Sequence, residues 1–190
     1  SELGAGPVRG MLKFASNVYA VSGENLYRVD INGVSTNVGG AVTDTTRVGM
    51  ADNGDQLMIV NGTNGYIYTV AGGFVRITDT DFQPARNVTE SDGFFITDRA
   101  DTNEFALSDS LDGLSWDGLN FASAEWKSDK LLAPLNHLER MFLFGEASTE
   151  VHVNTGAANF PFQRMKGAGQ ELGLIGPFAF TNDKDSVYLI

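Results

Sequence analysis

The stretch NGDQLMIVNGTNGYIYTVAGGFVRI, residues 53–77, shows the repeating unit on which the fold depends. A polar turn precedes an apolar run that opens with Leu57-Met58, and Asn-Gly pairs separate this run from Tyr66-Ile67-Tyr68-Thr69. A further segment follows from Gly73 to Ile77. Asn-Gly tolerates the positive φ angles of tight hairpin turns, and alternation within a run indicates a strand with one face inward and one face outward. The stretch therefore predicts short antiparallel strands joined in an up-and-down meander.

The same order of turns and strands recurs along the chain. The apolar pairs that open the second strand of each unit are Val18-Tyr19, Leu57-Met58, Phe94-Phe95, Met141-Phe142 and Val187-Tyr188. Their spacings of 39, 37, 47 and 46 residues lie in the range of propeller blades. The sequence therefore predicts an all-β, β-propeller-like fold of repeated four-stranded antiparallel blades. A β-sandwich, whose turns are similarly spaced, is the alternative.

The repeat also predicts the organisation of the chain. The approximate blades are 9–40, 47–80, 86–125 and 132–168, with the start of a further blade at 177–190. The connections between them are short, so we expect no separate second domain. Because the chain ends inside the strand-like run Val187–Ile190 and starts without Met, we expect residues 1–190 to be a single propeller-like fragment of a longer protein.

Composition and charge exclude several classes of function. The 190 residues are 42% hydrophobic, lack cysteine and carry a net charge of −11. Without cysteine, a disulfide framework, a zinc–thiolate site and a cysteine nucleophile are excluded. An acidic chain gains no counterion release on a phosphate backbone, so we expect no tight sequence-specific nucleic-acid binding. Anionic membranes are disfavoured for the same reason, and no apolar run approaches the roughly 20 residues of a membrane span.

Motifs for catalysis or cofactor binding are missing. The sequence has no H-E-x-x-H or G-x-S-x-G, and no glycine-rich phosphate loop leads into a helix. We interpret His137 and His152 as ordinary polar or packed residues, and expect no enzyme activity, metal or cofactor. Carboxylate pairs for glycoside hydrolysis stay open, because 24 acidic residues allow many pairs. The sequons at Asn61 and Asn87 are interpreted as coincidental.

Acidic residues concentrate between positions 79 and 117, a segment with a net charge of −8. Its only bases are Arg86 and Arg99. The ten acids are Asp79, Asp81, Glu90, Asp92, Asp98, Asp101, Glu104, Asp109, Asp112 and Asp117. Clustered carboxylates suit Ca²⁺, but the EF-hand spacing is missing, so we expect solvated loop carboxylates.

The turn Ser110–Trp116 resembles the Asp-box of sialidase-like propellers, S-x-D-x-G-x-x-W, although Gly113 follows Asp112 directly. In Asp-box proteins this turn is structural and its Trp packs inside the blade, so we interpret the turn here as structural. The resemblance makes a carbohydrate-binding or sialidase-like propeller the alternative function. Sparse arginine argues against that alternative. A WD-repeat propeller has no support, because no G-H…W-D pair recurs at blade spacing.

Two longer stretches are similar to the tail accessory, or packaged DNA stabilisation, proteins of P22-like short-tailed phages. The first has the family pattern W-D-x-L-x-F-A-x-A-E, and the second has F-G-x-x-T-E-V followed by N-x-G and F-P-F-x-R. The matching residues are Trp116, Asp117, Leu119, Phe121, Ala122, Ala124, Glu125, Phe144, Gly145, Thr149, Glu150, Val151, Asn154, Gly156, Phe160, Pro161, Phe162 and Arg164. One departure is His152-Val153, where we expect an aromatic residue.

The resemblance implies a non-enzymatic structural protein of the virion, assembled in the host cytoplasm. Members of the family form a ring of copies below the portal and its adaptor, close the head after DNA packaging, and carry the tail needle and tailspikes. Large aromatic residues gain most from burial, so we expect Trp116, Phe121, Phe160 and Phe162 to pack inside the blades. Gly145, Gly156 and Gly167 are predicted to make turns.

Overall fold

In a computed structural model, which describes residues 3–190, the chain forms five antiparallel sheets. Sheet 1 contains β1 (Val8–Phe14), β2 (Asn17–Ser22), β3 (Asn25–Val29) and β4 (Ser35–Gly39). Sheet 2 contains β5 (Gly49–Asp52), β6 (Leu57–Val60), β7 (Gly65–Thr69) and β8 (Gly73–Arg76). Sheet 3 contains β9 (Val88–Ser91), β10 (Phe94–Asp98), β11 (Glu104–Asp109) and β12 (Asp112–Ser123). Sheet 4 contains β13 (Leu131–His137), β14 (Arg140–Gly145), β15 (Thr149–Asn154) and β16 (Phe162–Arg164), and sheet 5 contains β17 (Phe180–Asn182) and β18 (Val187–Leu189).

The strands of every sheet are ordered as they occur in the chain, so each sheet is a meander. The first strands of successive sheets contact one another, β1 with β5, β5 with β9, and β9 with β13. The sheets therefore stand side by side around a common centre, with their first strands innermost. This arrangement confirms the predicted all-β, blade-like fold, and the β-sandwich alternative is wrong. That the sheets form one domain of a longer protein stays a prediction.

Middle strands such as β6 are buried on both faces. In β6, Leu57 and Ile59 pack with the core between sheets 1 and 2, whereas Met58 and Val60 pack with the core between sheets 2 and 3. Adjacent residues of a strand point to opposite faces, so a continuous apolar run fits a strand that lies between two neighbouring sheets. Both faces of such a strand are thus covered by neighbouring sheets, as the stacking of repeated units requires.

Aromatic residues dominate the cores between the sheets. Tyr19 lies between Phe14 and Tyr68, with ring centroids 5.5 and 5.2 Å away, and joins sheets 1 and 2. Phe105 and Phe162 belong to the core between sheets 3 and 4. The core between sheets 4 and 5 is smaller, and its fully buried members are Ala133, Phe144 and Leu174. Because each core is shared by two sheets, no sheet is shielded by its own residues alone.

Tight turns connect the strands. Asp92 and Gly93, with φ of 54° and 87°, form the two-residue turn between β9 and β10. Leu138 and Glu139, with φ of 52° and 58°, form the corresponding turn between β13 and β14. Positive φ disfavours residues with a Cβ, so this second turn is less favourable than the first. No helix among residues 3–190 is long and apolar enough to cross a membrane.

Candidate functional site

The innermost strands surround a central cavity of about 430 Å³. Every sheet contributes to its lining, and the apolar side chains include Met11, Met50 and Phe180. The charged side chains at the cavity include Asp52 and Glu90 as well as one arginine. This position corresponds to the axis of a propeller, where the innermost strands line a channel.

At one rim of the cavity, residues that are far apart in the sequence contact one another. The Arg47 guanidinium, just before β5, lies 4.9 Å from the ring centroid of Phe178, just before β17. The buried Asn87 side chain, just before β9, donates hydrogen bonds to the carbonyl oxygens of Leu132 and Pro177. These contacts tie the segments before β5 and β9 to β13 of sheet 4 and to the segment that leads into sheet 5.

Asp98 holds the turn that carries Asn87. Its Oδ1 accepts hydrogen bonds from the backbone N–H groups of Arg86 and Asn87, at 2.9 and 2.7 Å. The side chain is fully buried, and Oδ2 has no hydrogen-bond partner among the described residues. Burial raises the pKa of Asp98 to about 6, although the two backbone hydrogen bonds act in the opposite direction. Asp98 is therefore a positioning residue for the rim of the central cavity.

Arg9 has a similar role between sheets 1 and 2. Its guanidinium donates to the carbonyl oxygens of Gly23, Val42, Thr43 and Thr46, at distances between 2.6 and 3.1 Å. Burial lowers the pKa of Arg9. These four hydrogen bonds fix the connection between the two sheets. Sequence reasoning missed both residues, and the signal for Asp98 is an acid at the end of the apolar run that starts at position 94.

The first stretch with the family pattern, residues 116–125, contains a buried tryptophan followed by an exposed bulge. Trp116 is 5% exposed, its Nε1 donates to the Gly113 carbonyl at 2.9 Å, and its ring meets Phe82 edge-on at 5.1 Å. Asp112 Oδ1 accepts the N–H of Leu114 at 2.9 Å. These hydrogen bonds hold the Asp-box-like turn together and place Trp116 in the core between sheets 2 and 3.

Phe121 is not part of a blade core, so that prediction is wrong. Its side chain is 36% exposed, and the Arg99 guanidinium lies 4.1 Å from its ring centroid. In the β11–β12 ladder, Ala106 pairs with Phe121 but Ser108 pairs with Trp116. Four residues of β12 therefore face a single residue of β11, and this bulge changes which side chains point outward. Ala122 and Ala124 pack against the core between sheets 3 and 4, whereas Asp117, Leu119 and Glu125 are exposed.

The second family stretch contributes mainly to the cores around sheet 4. Phe144, Thr149, Val151 and Phe162 are buried, and Phe160 contacts Phe105 with ring centroids 5.7 Å apart. Asn154 donates to Asp92 Oδ2 at 2.7 Å and so links sheets 4 and 3.

The glycines and the remaining residues of this stretch lie at its surface or in its turns. Gly156 and Gly167 have positive φ, as turn residues do, but Gly145 ends β14 beside Asp129 and does not. Pro161 accepts the N–H of Thr155, and Arg164 is exposed.

Glu150 and His152 form a buried pair on β15. Glu150 Oε2 and His152 Nε2 are 3.0 Å apart, and the two side chains are 2% and 6% exposed. Glu150 Oε1 accepts the N–H of Trp126, which fixes the connection between sheets 3 and 4. Burial raises the pKa of Glu150, but the hydrogen bonds from His152 and Trp126 outweigh it and hold the pKa below its ordinary value. The His152 ring meets Phe105 edge-on at 5.4 Å, so it occupies the place where an aromatic residue was expected.

The clustered acids and the two sequon asparagines make contacts that stabilise the fold. No group of three or more histidine or acidic side chains among residues 3–190 could hold a metal ion. Asp101 pairs with Arg86 and Glu104 pairs with Arg99. Both sequon asparagines are buried, and Asn61 donates to the Thr43 carbonyl at 2.7 Å.

Comparisons with solved structures agree on the fold. The chain is similar to the computationally designed Ika8 protein, with a TM-score of 0.62 and 10% identity, over 95% of this chain and 54% of that one. It is also similar to PorZ, a surface component of the type-IX secretion system of Porphyromonas gingivalis, with a TM-score of 0.56 and 15% identity, over 92% of this chain and 24% of that one. The chain thus spans about half the length of the first structure and a quarter of the second. No curated protein sequence matches it significantly.

Identities this low show only that these structures share the fold of this chain. The family follows from a different comparison. The Phage_stabilise model, described as Bacteriophage P22 Gp10, beta-propeller, matches residues 2–190. The chain belongs to this family of phage stabilisation proteins, and the description of the model confirms the β-propeller fold. The predicted family is thereby confirmed.

Proposed function

We propose that this chain is part of a phage tail hub that closes the portal channel, retains packaged DNA and joins the adaptor to the distal tail. The observation that carries the proposal is the family match over residues 2–190. The virion is accordingly the proposed location, with assembly in the host cytoplasm. The proposed partners are other copies of the chain in a ring, the portal and adaptor, and the tail needle or tailspike proteins.

The role is mechanical rather than catalytic. Aromatic cores shared between neighbouring sheets make a rigid wall, and the Arg47–Phe178 and Asn87 contacts connect sheets across the inner rim. The His152 ring is engaged with Glu150 and packed against Phe105. A net charge of −11 repels DNA, which suits a plug or conduit that must not grip the genome.

The proposal is tested by mixing the purified protein with portal–adaptor complexes and measuring co-sedimentation. Binding in a fixed ratio that matches the ring symmetry of the complex is the expected result. No binding, together with retention of the chain on a glycan array, would move the assignment to a carbohydrate-binding propeller. Tight binding to duplex DNA at physiological salt would contradict the mechanical account.

A further inference from the structure

An apolar surface lies on the outermost strand of sheet 3. It comprises the exposed side chains of Leu119 and Phe121, two residues apart on β12, and we call it the outer strand surface. Leu119 is 82% exposed and Phe121 is 36% exposed. Single exposed apolar residues are common, but two close together on an edge strand indicate a contact surface.

The bulge presents Leu119 in a fixed geometry. Asp117 Oδ1 accepts the N–H of Leu119 at 2.9 Å. Gly118 lies against Asp81, because a Cβ at this position would come within 3.1 Å of Asp81 Oδ1. The leucine is therefore held outward by its hydrogen bond to Asp117 and by the close approach of Gly118 to Asp81, and does not lie on an unrestrained loop.

Carboxylates already accept hydrogen bonds from backbone N–H groups of this edge strand. Asp112 accepts the N–H of Leu114, and Asp79 Oδ2 accepts the N–H of Trp116 at 3.0 Å. An added strand pairs through free N–H and C=O groups of an edge. With these N–H groups in use, a partner contacts the surface through side chains rather than by extending the sheet.

The carboxylates on and against β12 select the partner. Asp112 and Asp117 belong to the strand, Asp79 accepts the Trp116 N–H, Asp109 accepts the Ser115 hydroxyl at 2.7 Å, and Asp81 lies beside Gly118. Arg99, the base that contacts Phe121, is already paired with Glu104. Asp81, Asp109 and Asp117 are exposed. This field repels nucleic acid, anionic lipid and another acidic copy of the chain, and it attracts lysine and arginine side chains.

We propose that the outer strand surface binds a segment of another protein that carries basic residues beside apolar ones. The apolar side chains cover Leu119 and its neighbours, and the basic side chains meet the surrounding carboxylates. Charge complementarity of this kind sets specificity and association rate, and apolar burial supplies affinity.

The test uses a fluorescent peptide of alternating Lys and Leu and measures its anisotropy with the purified chain. Leu119→Ser is compared with Ile31→Ser, because Ile31 is 95% exposed in a turn of sheet 1. We expect Leu119→Ser to raise the Kd about tenfold, which corresponds to about 1.4 kcal/mol of lost apolar contact, while Ile31→Ser leaves it unchanged. Replacing Asp81 and Asp117 by Asn weakens binding and reduces its dependence on salt.

Three results would overturn the proposal. Equal binding of a Lys-Ser peptide would show that charge alone acts. Equal effects of Leu119→Ser and Ile31→Ser would separate binding from the outer strand surface. Self-association that Leu119→Ser abolishes would make the partner a second copy of the chain. Thermal melting of each variant verifies folding, and an unchanged midpoint is expected because both side chains are solvent-exposed.

Discussion

Replacing Asp98 by asparagine isolates the cost of keeping a carboxylate inside the fold. The asparagine side chain retains an oxygen at the position of Oδ1, which accepts the N–H groups of Arg86 and Asn87. Its amide nitrogen takes the place of Oδ2, which has no partner among the described residues. The substitution Asp98→Asn therefore preserves both hydrogen bonds and removes the titrating charge.

The sign of the effect follows from the raised pKa. A carboxyl group whose pKa is higher in the folded state stabilises the fold fully below its unfolded pKa, and this contribution is lost as the pH rises through the folded value. For Asp98 these values are 3.8 and about 6. At 1.36 kcal/mol for each pKa unit, the wild type loses about 3 kcal/mol of unfolding free energy relative to Asp98→Asn across this interval.

The measurement is urea denaturation of both proteins at about pH 4 and about pH 7.5. Other carboxyl groups titrate in both proteins. The difference in unfolding free energy between the wild type and Asp98→Asn therefore reports the contribution of Asp98 alone. Asp98→Ala serves as a control that loses both backbone hydrogen bonds, and it should be the least stable variant at either pH. Parallel pH profiles for the wild type and Asp98→Asn would refute the reasoning.

Three further predictions concern stability and are checked by the denaturation midpoint. Trp116→Ala removes a side chain that is 5% exposed and should cost about 3–5 kcal/mol, so an unchanged midpoint would contradict its place between sheets 2 and 3. His152→Ala leaves the buried Glu150 carboxylate with the Trp126 N–H but without its histidine partner, which should cost about 3–5 kcal/mol, and a loss below that of an exposed variant such as Ile31→Ser would argue against the pair. Replacing Leu138-Glu139 by Asn-Gly puts residues that tolerate positive φ at both turn positions. This should stabilise the protein by about 1 kcal/mol or more. A lower midpoint would indicate that Leu138 is needed for packing.

The order of strands could be predicted from the sequence because the signals are local. Each polar turn and the apolar pair after it lie within a few residues, and the turn between β9 and β10 has the expected Asp92-Gly93 pair. The same signals did not show which residues cover the two faces of β6. That property depends on the neighbouring sheets, which lie about 40 residues away in the chain.

The roles of single residues were harder to predict. Asp98 was one of ten acids in its segment, and its function depends on the backbone of residues 86 and 87, which only the fold brings beside it. Phe121 was placed in a core because large aromatic residues gain most from burial. The bulge at residues 117–120 decides which side chains of β12 point outward, and nothing in the local sequence indicates how many residues it contains.

The most direct test of the central claim is whether the protein retains DNA in filled phage heads. Heads that lack the protein are incubated with and without the purified protein, and the fraction of DNA sensitive to nuclease is measured over time. If the chain acts in a hub that closes the portal channel, added protein should keep the DNA protected in proportion to the occupied portals. Equal release of DNA with and without the protein, at concentrations that saturate the portals, would contradict the account.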